Sequence, residues 1–196
     1  MAVDLVTPFT KVELEPLATE NQHGLGVFWG AFNPVHVAHL TIADQVRQQL
    51  HLDEVRFIPE NPTPQTLEML RLAIAGKKGL SVSGCRLDDK SAIADNMKKL
   101  KEENPKRDIY FIIGGDLVAS LERWPKIEQL LETVTLVGVQ RPRYRAGTSF
   151  PLLWVDVPLM DVSSAAIREE IKKGLTPNFL LPAEVLSYIK EEGLYV

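Results

Sequence analysis

Hydrophobic and polar positions follow two rhythms along residues 25–196. Short, mostly apolar runs at 25–29, 55–59, 80–83, 109–113, 134–139 and 152–155 predict strands. Between them, apolar residues recur three and four apart at 37–50, 65–75, 92–103 and 127–131, which predicts helices with one buried face. Two more helices, 164–173 and 182–192, are each followed by a glycine stop, Gly174 and Gly193. The run 109–113 is apolar at every position and rich in β-branched residues, as a strand covered on both faces must be. Strand alternating with helix predicts an α/β fold, a single doubly wound, Rossmann-like parallel sheet with helices on both faces. Ligands bind such sheets at the carboxyl ends of the strands, so the residues that follow each strand are the ones to inspect for chemistry.

Residues 1–24 fit neither rhythm; Pro8, Pro16 and several acidic residues mark them as an N-terminal extension, leaving 25–196 as the domain. A chain of 196 residues with 45% hydrophobic residues suits one well-buried domain. A net charge of −4 argues against a general nucleic-acid binder, while small phosphorylated ligands need only a local cluster of donors. No apolar run reaches membrane-spanning length, no basic start precedes an apolar stretch, and one cysteine, Cys85, cannot form an internal disulfide. These features predict a cytoplasmic protein without nucleic-acid or membrane partners, and they leave homo-oligomer formation open.

Three strand ends carry candidate chemistry. The first, 30–39, reads GAFNPVHVAH: Gly30 and Pro34 break the chain between strand and helix, and His36 and His39 fall on one helical face. Two imidazoles beside a helix N-terminus would suit an anion, although one histidine capping and the other packing explains the same spacing. A zinc site is disfavoured, because only His23, His51 and Cys85 remain as further soft ligands; no protein metal site is expected. The second strand end is Gly114-Gly115-Asp116, where a ligand could approach the backbone and Asp116 could accept from ribose hydroxyls, or simply cap the next helix. The third is Ser163-Ser164-Ala165-Ala166-Ile167-Arg168, a helix start with no Glu or Gln three residues on, so that a serine hydroxyl is expected to be free for a ligand. Arg168, one turn beyond Ser164, could grip phosphate oxygens with two parallel hydrogen bonds or lie solvated on a capped surface helix. Neither a phosphate loop ending in Gly-Lys-Ser/Thr nor a dinucleotide fingerprint is present.

The stretch 30–39 resembles the His-x-Gly-His loop of the nucleotidyltransferase superfamily, and 163–168 resembles its Ser-Ser/Thr-x-x-Ile-Arg signature. The run YFIIGGDLVASLERWPKIEQLL and the tail LPAEVLSYIKEEGLY are similar to bacterial nicotinate-nucleotide adenylyltransferases. The resemblance implies transfer of the adenylyl group from MgATP to nicotinate mononucleotide, giving deamido-NAD and pyrophosphate, with Mg²⁺ held by phosphate oxygens and water. It implies catalytic roles for His36, His39 and Arg168, and ATP contacts from Gly30, Phe32, Asn33, Gly114, Asp116, Ser163, Ser164 and Ile167. Acceptor contacts would fall to Trp124, stacking on the nicotinate ring unless it is core, with Ala31 and Ser91.

The sequence departs from that family in places that matter. The usual Gly-Gly-Thr/Ser-Phe reads Trp29-Gly30-Ala31-Phe32, and Ala38 replaces the glycine between the histidines. A Pro-Pro-His-Lys loop after the second strand is absent, since Pro59 runs through Pro64 directly into the next helix, and a Ser-Tyr-Thr segment reads Ser91-Ala92-Ile93. Both losses fall on the acceptor side. They leave open a different phosphorylated acceptor, such as nicotinamide mononucleotide or phosphopantetheine, a weakly active nucleotide-binding paralogue, or a loop missing from this sequence.

Overall fold

The computed structural model describes residues 23–84, 93–140 and 148–196. Strands and helices alternate as β1 (His23–Gly30), α1 (Val37–Gln49), β2 (Glu54–Pro59), α2 (Pro64–Ile74), β3 (Leu80–Val82) and α3 (Ile93–Glu103). There follow β4 (Arg107–Gly114), a one-turn α4 (Gly115–Val118), a 3-10 turn at Leu121–Arg123, α5 (Ile127–Thr133), β5 (Thr135–Val139) and β6 (Leu153–Val155). Helices α6 (Ser164–Lys172) and α7 (Ala183–Glu191) complete it.

The strands form one sheet in the order β3-β2-β1-β4-β5-β6, and each neighbouring pair is parallel. Alternate side chains of each central strand therefore enter different layers. On one face Phe28, Phe57, Ile112 and Val137 pack beneath α1, α2, α6 and α7, whose Val46, Met69, Ile167 and Val185 are fully buried. On the other, Val27, Ile109, Phe111 and Leu136 meet Ile93 and Met97 of α3, Leu121, and Leu130 of α5. Each such fully buried aliphatic or aromatic side chain contributes roughly 1.5–3 kcal/mol. Gly26 permits a close approach: a Cβ there would lie 2.8 Å from Val55 and 3.1 Å from Leu52, so the α1–β2 connection settles directly on β1.

Strand β1 starts two residues earlier than the apolar pattern indicates. His23 and Gly24 pair with Arg107 and Asp108, and the His23 ring bonds Asp53 at 2.7 Å, which extends the ladder into polar sequence. The amino ends of the strands are joined by charge. Glu54 on β2 accepts from Arg107 on β4 at 2.7 Å, from Arg56 at 2.9 Å, and from Ser81 on β3. Burial alone would raise the Glu54 pKa, but these donors outweigh it and hold the carboxyl below its ordinary value.

Candidate active site

In this strand order the chain changes direction between β1 and β4, and the crevice at their carboxyl ends is where α/β sheets bind ligands. A cavity of about 320 Å³ opens there. Gly30 and Ala31 line it from the end of β1, Gly114 and Asp116 from the end of β4. His36, His39 and Phe32 contribute from the β1–α1 region, and Ser163 with Ser164 from the start of α6. Nine of the residues singled out in the sequence thus meet around one space, although they are drawn from three separate stretches of chain.

The β1–α1 loop is built around Phe32. Its backbone takes a left-handed φ of 47°, and its ring turns back over the sheet to pack edge-on against His39, Phe57 and Phe28 at 4.9, 5.3 and 5.4 Å. Gly30 makes room for that ring, since a Cβ there would sit 3.1 Å from Phe32 Cζ. The fold of the loop delivers His36 to the N-cap of α1 in an extended conformation. The backbone N–H of His36 donates to His39 Nδ1 at 3.2 Å. That bond assigns the His39 tautomer: Nδ1 carries no proton, so Nε2–H is its donor. The two rings stack with centroids 3.6 Å apart and planes 22° from parallel, both nearly buried. Capping and anion binding, left as alternatives by the spacing, are compatible here, because the capped geometry places both imidazoles on the cavity wall.

At α6 the structure corrects the expectation of a free serine hydroxyl. Ser163 is the N-cap and its Oγ accepts from the Ala166 N–H at 3.1 Å, while Ser164 Oγ donates to the Pro34 carbonyl at 2.8 Å. The Ser163 proton is still available to a second partner, because capping uses only a lone pair. Arg168 lies outside the cavity lining and donates to the Asn33 carbonyl at 2.6 Å, tying α6 to the β1–α1 loop. Asn33 too lies outside the cavity lining; its side-chain oxygen accepts from the Tyr195 hydroxyl. Ile167 is corrected outright: its side chain is fully buried in the core and its N–H is spent on the Ser163 carbonyl at 3.1 Å, so nothing of it faces a ligand.

On the acceptor side the expectation of a stacking Trp124 is corrected too. Only 4% of it is exposed, wedged edge-on against Trp29 at 6.0 Å and Phe111 at 6.3 Å, with its indole N–H donating to Ser120 Oγ at 3.1 Å. The short turn Leu121–Arg123 folds the ring inward, so Trp124 is core rather than cavity wall. Ser91 lies outside the described residues. The sequence reading missed Trp29 and Glu60, which line the cavity, and Tyr195, which reaches the loop from the far end of the chain. Glu60 follows β2 directly and its N–H donates to the Gly30 carbonyl at 2.8 Å, so attention to every strand end would have found it. Burial raises the Tyr195 hydroxyl to about 12, against a smaller opposing pull from Arg168, which keeps it a neutral donor. Among the described residues, no group of three or more His, Cys, Asp or Glu side chains could hold a metal ion. No described helix is long and apolar enough to cross a membrane.

A parallel sheet in this order, with two helix N-termini and a stacked histidine pair meeting at its switch point, defines a nucleotide-binding transferase domain, and residues 27–170 match the family described as cytidylyltransferase-like. The chain belongs to that family, and within it to the nicotinate-nucleotide adenylyltransferases. It is 53% identical over 209 residues to a Streptococcus mutans protein named a probable nicotinate-nucleotide adenylyltransferase, and 51% identical to its Streptococcus pneumoniae counterpart, with all of each chain covered. Those alignments are longer than the 196 residues of this chain, so gaps in it face residues of the relatives. The fold is similar to that of Plasmodium falciparum nicotinic acid mononucleotide adenylyltransferase solved with APC and with NaAD, each at TM-score 0.72 and 18% identity, covering 88% of this chain and 98% of that one.

Proposed function

We propose that this chain transfers the adenylyl group of ATP to nicotinate mononucleotide, forming deamido-NAD and releasing pyrophosphate. The observation that carries this reading is the convergence of the His36–His39 stack and the α6 serines on one cavity at the β1–β4 switch point. The names of the full-length relatives supply the acceptor. In the reaction a phosphate oxygen of the mononucleotide attacks the α-phosphorus of ATP, that P–O bond forms, and the bond to the β-phosphate breaks. No general base is required, because a phosphate monoester with a second pKa near ~6 is already anionic at neutral pH. The protein must align the two nucleotides and stabilise charge on the transferring group.

His39, its Nε2–H fixed by the bond at Nδ1, and His36 beside it would donate to phosphate oxygens above the α1 N-terminus. The Ser163 hydroxyl, the backbone N–H of Ser164 and the N–H groups of Arg168 not used on Asn33 would hold the distal phosphates, while Gly114 and Asp116 would meet the ribose side. Ala31, which lines the cavity, would meet the acceptor. Mg²⁺ would arrive on the ATP phosphates and neutralise part of their charge, its preference for water and phosphate oxygens requiring no cage of protein ligands. Charged nucleotides as substrates fit a cytoplasmic location.

The inward-facing Trp124 favours a second reading, in which adenylyl or a related transfer goes to another phosphorylated acceptor such as nicotinamide mononucleotide or phosphopantetheine. Pyrophosphate release from MgATP, measured with each acceptor in turn against a His36→Ala control, separates the two. Release with nicotinate mononucleotide above the control supports the first reading. Release only with another acceptor replaces it with the second, and ATP binding without release on any acceptor leaves a nucleotide-binding paralogue.

A further inference from the structure

We propose that Tyr195 is a positioning residue for ATP, acting through the side chain of Asn33; the proposal rests on the assignment of the β1–α1 loop to ATP phosphates. Residues 31–36 lie outside any strand or helix, so nothing in the sheet ladder fixes where His36 and the α1 N-terminus stand. Their support comes from outside. Two donors from α6 hold the loop by its backbone, Ser164 on the Pro34 carbonyl and Arg168 on the Asn33 carbonyl. The Asn33 side chain is held separately, by the Tyr195 hydroxyl, which also lies 3.8 Å from Met69 Sδ of α2. Tyr195 follows α7 with a left-handed φ of 67°, a conformation that an ordinary side chain adopts only when its surroundings impose it.

The direction of the bond matters. An O–H that donates to Asn33 Oδ1 turns the carboxamide so that its NH₂ faces the other way, and with it sets the residue three positions before His36. A displacement of about 1 Å in a catalytic donor can cost on the order of a hundredfold in rate, so a loop pinned at its side chain as well as its backbone is held for the reaction rather than for the fold alone. The other ties are those from α6, the His36 N–H on His39 and, at the start of α1, the Val37 N–H on the Leu180 carbonyl at 3.0 Å; the Tyr195 bond is separate from all of these, and one atom can remove it.

The test compares Tyr195→Phe, Asn33→Ala and the double variant. Affinity for MgATP is read by calorimetry and KM for each substrate by pyrophosphate release. Tyr195→Phe keeps the ring and removes only the hydroxyl, and Asn33→Ala keeps the backbone carbonyl that Arg168 uses. Each single variant is expected to weaken ATP binding and raise the ATP KM about fivefold, the size of one net hydrogen bond, with the acceptor KM within twofold of the parent. The double variant should be no weaker than Asn33→Ala alone. Additive losses, an equal rise in both KM values, or ATP affinity within twofold of the parent in Tyr195→Phe would each overturn the proposal. Failure of the parent to adenylylate nicotinate mononucleotide would sink the functional reading alone, because the calorimetric comparison still decides this one. Failure of the parent to bind ATP would overturn both.

Discussion

The half of the cavity assigned to ATP phosphates and the half assigned to the acceptor are built by opposite means. Around the phosphate half, a loop with no regular structure is tied down by polar bonds from distant parts of the chain: Ser164 and Arg168 from α6, and Tyr195 from beyond α7. Around the acceptor half, the aromatic ring expected to meet the ligand is folded into the core, stacked edge-on with Trp29 and bonded to Ser120. The first half is a preorganised donor set. The second is chiefly a wall. On the proposed assignment, affinity for ATP and choice of acceptor would rest on separate structural supports, so a substitution would damage one and spare the other.

The largest effect that would break this comparison is expected at His39. Replacing it by alanine removes the Nε2–H donor together with the acceptor that caps the His36 N–H, and kcat/KM should fall about 10²–10³-fold, the usual cost of losing a preorganised donor to a phosphoryl oxygen. Circular dichroism should still show a folded α/β protein, since α1 keeps its buried Ile42, Ala43 and Val46. A loss below tenfold would mean that the imidazole stack only closes the helix end.

Trp124 sharpens the other side. Trp124→Phe removes the bond to Ser120 and part of the ring packing, so stability should drop by about 1–2 kcal/mol in urea denaturation while the acceptor KM stays within twofold. A tenfold rise in acceptor KM at unchanged stability would show instead that the ring leaves the core when the acceptor binds.

The smallest effect belongs to Tyr195 and pH. Its hydroxyl is raised to about 12 from an ordinary value near ~10, so the native state holds that proton more tightly than the unfolded chain. Its contribution to stability is complete below pH ~10 and is lost as pH rises toward 12. Denaturation midpoints followed from pH 9 to 12 should therefore fall more steeply in the parent than in Tyr195→Phe; parallel slopes would remove the hydroxyl from the explanation.

Much of this arrangement could be read without coordinates, and the exceptions have physical reasons. The strands were legible because a parallel sheet covered on both faces demands unbroken apolar runs such as 109–113, and α6 because a serine start and a glycine stop frame it. The switch-point position of His36, His39, Gly114 and Ser164 followed from the rule that strand ends face the ligand. The turn Leu121–Arg123 and the four-residue α4 were not legible, being too short to show a period. The inward set of Trp124 depends on that turn and was hidden with it. The Tyr195–Asn33 tie joins residues 162 positions apart, and no local pattern carries such a contact. Ile167 was misplaced for a simpler reason: a residue within a ligand-binding signature can be present to bury the helix that carries the signature.

The most direct measurement is identification of the dinucleotide formed when the protein is incubated with MgATP and an equimolar mixture of nicotinate and nicotinamide mononucleotides. The account predicts deamido-NAD as the main product, with pyrophosphate in equal amount, and its loss in His39→Ala. NAD as the main product, or neither dinucleotide while ATP still binds, would contradict it.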